Sequence, residues 1–311
     1  MINSAKGRLV AFDNKKNLEL IGLIFEADGG DKENIIIHVH GNYGNFYNNK
    51  FIWKMSEKYL SCGVSFLTFN LSAHDGLCEG YRKGILDYVG GAVSDYSESI
   101  LDIEAAVDFV KIAGYKKITL QGHSLGCDKI LEYVLNHNDI EKVILLSPVD
   151  SYAVQERWLY MHKNETVEEQ LDRLIKLCDS ENDVLQWLDL NEYGAEGLND
   201  DWIYKIPVTT KALLSILQGS AFKFIKLKNG EDFLVDKETY VFLGKNDGLR
   251  MCSLEEMVNF VKKHFVQCYV NDRMACDHDI IGAEDALIDD IILWYKNDDF
   301  AMNPTANYHL S

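Results

Sequence analysis

Proline is scarce in this chain: three residues among 311, against 22 glycines. That scarcity argues against a Pro-rich linker or tail and for many internal turns. Positive charge is also in short supply, with 31 Lys and Arg against 49 Asp and Glu and a formal net charge of −18. Nucleic acid and anionic membrane faces are bound through basic surfaces, because neutralising phosphates supplies most of the non-specific affinity. Neither partner is expected. Long apolar runs are missing too: no stretch of about 18 residues lacks a charge, so no membrane span is expected. Met1 to Arg8 carry two charges and no apolar segment, so no signal peptide is expected either. The seven cysteines, Cys62, Cys78, Cys127, Cys178, Cys252, Cys268 and Cys276, are odd in number, scattered and without CxxC spacing. They fit a reduced, cytoplasmic setting better than a disulfide framework.

What is present is the composition of a packed domain, 47% hydrophobic and 26% charged. Short apolar β-branched runs alternate with longer helical patterns, which predicts an α/β sheet with crossover helices. Strands are expected at Leu9–Phe12 and Leu18–Phe25, close enough to form a hairpin, then at Ile35–His40, Val64–Phe69, Lys117–Gln121, Val143–Ser147, Tyr240–Leu243 and Gln267–Val270. Helices are expected over Phe46–Leu60, Ser97–Ile112, Leu125–Asn136, Leu254–His264 and Ala286–Lys296. Between Ser151 and Asp236 the rhythm changes to helical patterns without strands, at Thr166–Leu190 and Val208–Leu217. That segment holds 16 Asp or Glu against 9 Lys or Arg, a net of −7. It reads as a helical insertion into a continuous sheet, giving a core of 1–150 and 237–311 and an insertion of 151–236.

The strongest chemical signal is Gly122-His123-Ser124-Leu125-Gly126, set between a predicted strand and a predicted helix. A serine there must sit on a sharp turn that projects its hydroxyl from the sheet edge, and side chains at either glycine would collide with backbone. The helix N-terminus favours negative charge developing beside it. Such a nucleophile needs a base, and the base needs a carboxylate to fix its tautomer. His278 is the candidate base, in Asp277-His278-Asp279 after the last predicted strand. Asp247, in Asn246-Asp247-Gly248 after the strand ending at Gly244, is the candidate acid, with Asp150 as its rival. Oxyanion donors are expected from the backbone N–H groups of Leu125 and Asn42, the latter in the His40-Gly41-Asn42 turn. Contacts to substrate are expected from His123, Tyr43, His74, Trp158 and Trp187, among an insertion rich in aromatics that includes Tyr160, Tyr193, Trp202 and Tyr204. Cys127 reads as a small packed residue. His38 and His40 alternate on one strand, but without a third ligand they read as structural, so no metal and no cofactor is expected.

On these residues the chain resembles the α/β-hydrolase superfamily over nearly its whole length: the GHSLG turn, the His40-Gly41 turn, and Asp247 and His278 in that order. The stretches HGNYGNFYNN and ITLQGHSLGCDKILEYVL are similar to a group of hydrolases that includes fungal siderophore esterases. The resemblance implies a mostly parallel eight-stranded sheet flanked by helices, with a helical cap between strands six and seven. It does not imply a substrate, since this fold hosts many chemistries.

Three readings follow. The first is a serine hydrolase cleaving a carboxylic ester of a small-molecule acyl substrate through an acyl-enzyme on Ser124. The second is a thioesterase or acyltransferase with the same triad, which the acidic insertion disfavours for anionic carriers. The third is a non-catalytic binding protein on the same fold. The oligomeric state stays open, because an apolar insertion surface could cover either the site or a partner.

Overall fold

The computed structural model describes residues 6–28, 32–179, 185–189, 205–219 and 233–296. Strands β1 (Gly7–Asp13) and β2 (Glu19–Phe25) form the expected hairpin; β3 (Asn34–Val39), α1 (Lys50–Ser61) and β4 (Ser65–Phe69) follow. A second hairpin, β5 (Cys78–Arg82) with β6 (Ile85–Val89), precedes α2 (Tyr96–Ile112), β7 (Lys117–His123), α3 (Leu125–Asn136) and β8 (Lys142–Leu146). Next come α4 (Ser151–His162), α5 (Val167–Asp179), β9 (Leu185–Asp189), β10 (Lys205–Thr209) and α6 (Thr210–Gly219). The chain then returns through β11 (Val235–Phe242), α7 (Leu254–His264), β12 (Phe265–Asn271) and α8 (Glu284–Lys296).

Eight strands make one sheet in the order β1-β2-β4-β3-β7-β8-β11-β12. The β1–β2 and β2–β4 pairs are antiparallel and the others parallel. A parallel sheet is covered on both faces, and the sequence of β3 shows it: Ile35, Ile36, Ile37 and Val39 are all fully buried. Ile35, Ile37 and Val39 join Val107, Val110, Ile130 and Leu131 of α2 and α3, with α7 completing that layer. Ile36 turns to Phe51, Met55, Ile291 and Trp294 of α1 and α8 on the other face. Each such burial contributes about 1.5–3 kcal/mol, so the central strands are fixed by hydrophobic contact on two sides.

Three expectations need correction. Helix α1 starts at Lys50 rather than Phe46, because the Asn45 side chain accepts from the Tyr47 and Asn48 amides and holds them in a turn. The loop before α2 contains the β5–β6 hairpin, closed by Lys83 and Gly84, both at positive φ. That two-residue turn is favoured in hairpins, though Lys is an uncommon first residue for it. The insertion is not purely helical either: β9 and β10 pair antiparallel within it. Leu185–Asp189 is too short for its apolar spacing to separate strand from helix.

The tightest packing lies where β7 passes into α3. A Cβ on Gly126 would overlap the Val39 carbonyl and sit 2.7 Å from that of His40, and one on Gly122 would sit 2.6 Å from the Cys127 nitrogen and the Gly126 carbonyl.

Three histidines are buried around this junction. Gln121, whose Oε1 accepts from the Tyr59 hydroxyl at 2.7 Å, donates from Nε2 to His38 Nδ1 at 2.9 Å. His40 Nε2 accepts from the Leu71 amide at 3.1 Å, leaving Nδ1–H to donate to the Gly41 carbonyl at 2.8 Å. His38 lies on β3 and His40 just beyond its end at Val39, and the two share no hydrogen-bond partner among the described residues. Burial holds all three as neutral rings: His38 is lowered to about 3, His123 to about 4, and His40 well below its ordinary value.

Two outcomes follow. Gly126→Ala should destabilise the fold by about 2 kcal/mol or more, whereas Gly76→Ala, which meets nothing within 4 Å, should stay within about 0.5 kcal/mol; urea unfolding midpoints decide between them. The unfolded chain protonates its histidines near pH 6.5 and the folded one does not, so stability must fall as pH drops from 6.5 towards 4. Each histidine contributes up to about 1.4 kcal/mol per pH unit. Unfolding at several pH values should show this slope, and His38→Gln should make it shallower.

Candidate active site

Ser124 joins β7 to α3 with φ 56° and ψ −128°, a backbone conformation rare for any residue but glycine. The strain persists because the surroundings fix both sides of it: the Ser124 amide donates to Leu146 of β8 at 3.0 Å, and the Cys127 amide donates back to the Ser124 carbonyl at 3.0 Å. Ser124 is left half-buried at the N-cap of α3.

Asp247 and His278 come from the ends of two adjacent parallel strands, β11 and β12. Their loops are tied together by Lys245 N–H to the Met274 carbonyl and Asn246 N–H to the Cys276 carbonyl, each at 3.0 Å. Gly244 permits this approach, since a Cβ there would sit 2.8 Å from the Cys276 carbonyl. His278 Nδ1 lies 3.0 and 3.1 Å from the two Asp247 carboxylate oxygens. A carboxylate can only accept, so Nδ1 carries the proton and Nε2 the lone pair. Among the described residues that Nε2 is buried with no hydrogen-bond partner, which leaves it available for a proton. Burial alone would raise the Asp247 carboxyl, but the His278 hydrogen bond and charge, with the Leu249 amide at 2.9 Å, more than offset it and hold it below the ordinary range. The Asp150 side chain caps α4, accepting from the Ala153 amide at 2.9 Å. Two residues beyond His278, the buried Ile280 adopts φ 64°, a strained position for a β-branched residue.

The turn Gly41-Asn42-Tyr43-Gly44 lies directly over Ser124: a Cβ on Gly41 would sit 2.8 Å from Ser124 Cβ and 3.3 Å from Oγ. Tyr43 takes φ 53°, and the Gly44 amide donates to the Gly41 carbonyl at 3.3 Å. Neither the Asn42 nor the Leu125 amide is spent on a turn or cap hydrogen bond among the described residues.

The expected substrate contacts divide. The Tyr43 hydroxyl donates to the Pro207 carbonyl of β10 at 3.3 Å, and so links the turn to the insertion. The insertion is further seated by Thr209 N–H on the Ala92 carbonyl at 2.7 Å. Trp158 is buried with Tyr152, Leu159 and Val167 in the insertion's own core, against Leu249. The side chain of Trp187 lies outside what is described, as do Tyr193, Trp202 and Tyr204. His123 is buried rather than open to a ligand: its Nε2 meets the His278 carbonyl at 2.9 Å, and its Nδ1 faces the Asn49 side-chain amide at 3.5 Å. Nothing in the spacing of the sequence foretells the Asn49 and Pro207 contacts, because both join segments far apart in the chain. His74, Asp75 and Cys78 are the described residues whose ligand atoms all lie within 4.8 Å of one another and could hold a metal. His74 Nδ1 is already paired with Asp75 at 2.8 Å, and Asp75 is paired with Asn45. Cys127 is fully buried, its thiol pushed well up by burial, which leaves it no thiolate to act with.

No family model matches this chain, and no curated protein does. Solved structures do. Est1E from Butyrivibrio proteoclasticus, with ferulic acid bound, superposes with a TM-score of 0.62 at 14% identity, covering 91% of this chain and 97% of its own. The Pyrococcus furiosus esterase Pf2001 gives 0.57 at 16%, over 93% and 91%. The α/β hydrolase GrgF from Penicillium sp. sh18 gives 0.63 at 13%, over 94% and 98%. No helix among the described residues is long and apolar enough to cross a membrane. With its strand order, its single antiparallel start and a serine at the β7–α3 turn, the chain has the α/β-hydrolase fold.

Proposed function

We propose that the protein is a serine hydrolase that cleaves a carboxylic ester of a small molecule through an acyl-enzyme on Ser124. The observation that carries this reading is the His278–Asp247 pair, with its open Nε2, on the same sheet edge as the strained Ser124. Ser124 Oγ attacks the ester carbonyl as His278 Nε2 takes its proton. Asp247 keeps Nδ1–H in place and stabilises the imidazolium. The oxyanion is met by the Leu125 and Asn42 amides, one at the helix start and the other in the turn held against Ser124. Collapse expels the alcohol, which takes the proton from His278; water then gives a proton to the same nitrogen as its oxygen adds to the acyl carbonyl, and the second collapse releases the acid while His278 returns that proton to Ser124 Oγ.

Ser124 and His278 are not hydrogen bonded to each other. That is common in sites that tighten only around substrate. The segment 151–236 is read as a cap over this site, supported by the Tyr43–Pro207 and Thr209–Ala92 bonds that seat it beside the oxyanion turn. Ester hydrolysis is further supported by the esterases among the structural neighbours. Seven free thiols support a reducing, cytoplasmic location.

A fluorophosphonate probe should label the wild type once per chain and leave Ser124→Ala unlabelled. Asp247→Asn should lower hydrolysis of simple esters about 10²- to 10⁴-fold, and Asp150→Asn, which keeps its capping oxygen, should change it little; the opposite ranking would transfer the acid's role to Asp150. Because the insertion carries a net −7, an acyl-coenzyme A should be turned over more slowly than the matching simple ester, and faster turnover would favour the thioesterase reading.

A further inference from the structure

His123 immediately precedes Ser124 in the Gly122-His123-Ser124-Leu125-Gly126 turn, and nothing in the proposed reaction uses it. It nevertheless engages the candidate base at two points. Its Nε2 meets the backbone carbonyl of His278 at 2.9 Å, and the two rings pack with centroids 5.1 Å apart. A carbonyl cannot donate, so Nε2 carries the proton, and Nδ1 is left to accept from Asn49 at 3.5 Å. Phe51 closes the other side at a centroid distance of 5.2 Å.

The position of His278 Nε2 has two requirements: the ring must be turned correctly, and the backbone that carries it must be in the right place. Asp247 meets the first by binding Nδ1. The second is harder, because His278 lies in a loop two residues before the strained Ile280. The geometry points to His123 as a positioning residue that anchors the His278 backbone to the nucleophile turn itself, so that serine and base move as one unit. This rests on the reading of Ser124 as nucleophile. Since His123 adjoins Ser124 in the chain, any shift of the turn carries its ring, and with it the His278 carbonyl, in the same direction. The anchor also holds while His278 gains and loses a proton, because burial and the charge on His278 both oppose protonation of His123, which is lowered to about 4.

The test compares His123→Gln, which keeps a side-chain N–H, with His123→Met, which has none, using a fluorophosphonate probe and p-nitrophenyl acetate. His123→Met should label with a rate constant about 10- to 100-fold below wild type, yet reach the same end-point of one label per chain. Its kcat for the ester should fall by a similar factor while KM stays within about twofold, since misplacing the base weakens the transition state rather than binding. His123→Gln should label about tenfold faster than His123→Met, recovering part of the loss. A residue that only supports folding would lower the end-point and leave the rate per labelled site unchanged. Met labelling at the wild-type rate, or Gln as slow as Met, overturns this inference alone. A wild type that takes no label overturns the serine assignment and this inference together. Should His123→Met fail to fold, His123→Leu takes its place in the same comparison.

Discussion

The structure turns on how closely α3 crosses the end of β3. At Gly126 the helix backbone lies so near the Val39 and His40 carbonyls that no side chain fits, and Gly122 is as tightly met by the helix it precedes. The chain can pass from strand to helix in so little space only by reversing sharply, and Ser124 takes the strain at φ 56°. From that one constraint follow the projection of the serine, the presentation of the Leu125 amide, and the room in which the Gly41 turn lies across both.

The remaining parts are brought by the parallel sheet. In such a sheet every strand ends at the same edge, so loops far apart in sequence become neighbours there. The loops after β11 and β12 are joined by main-chain hydrogen bonds before any side chain is considered. The Asp247–His278 pair is therefore built on backbone, and its charge is confined to a buried carboxylate with defined donors. The buried histidines nearby are kept neutral by the same burial, so they hold turns in place without adding positive charge beside the serine.

Much of this was legible in the sequence because it is local. The Gly122–Gly126 turn, the two-sided apolar run of β3, and Asp247 and His278 after their strands all announce themselves by spacing. The β5–β6 hairpin did not, because its turn uses Lys83 where Asn or Asp would have signalled it. Strand β9 did not, because five residues are too few for periodicity to separate strand from helix. The place of His123 was hidden for a different reason. Its letter sits in a motif that draws attention to its neighbour, and its partner is a main-chain carbonyl 155 residues away, an atom that every residue type possesses.

The seating of the insertion has a similar character. Tyr43 binds the carbonyl of Pro207, and the amide of Thr209 binds the carbonyl of Ala92. On the insertion's side both anchors are main-chain atoms, present whatever the side chains become. Those two bonds survive side-chain change in the segment, and the position that must be kept is Ser215, whose Oγ accepts from the Tyr96 amide at 2.9 Å. On the proposed reading, substrate preference and catalytic geometry are thereby separable, and a lineage carrying this scaffold could change its substrates while keeping its chemistry.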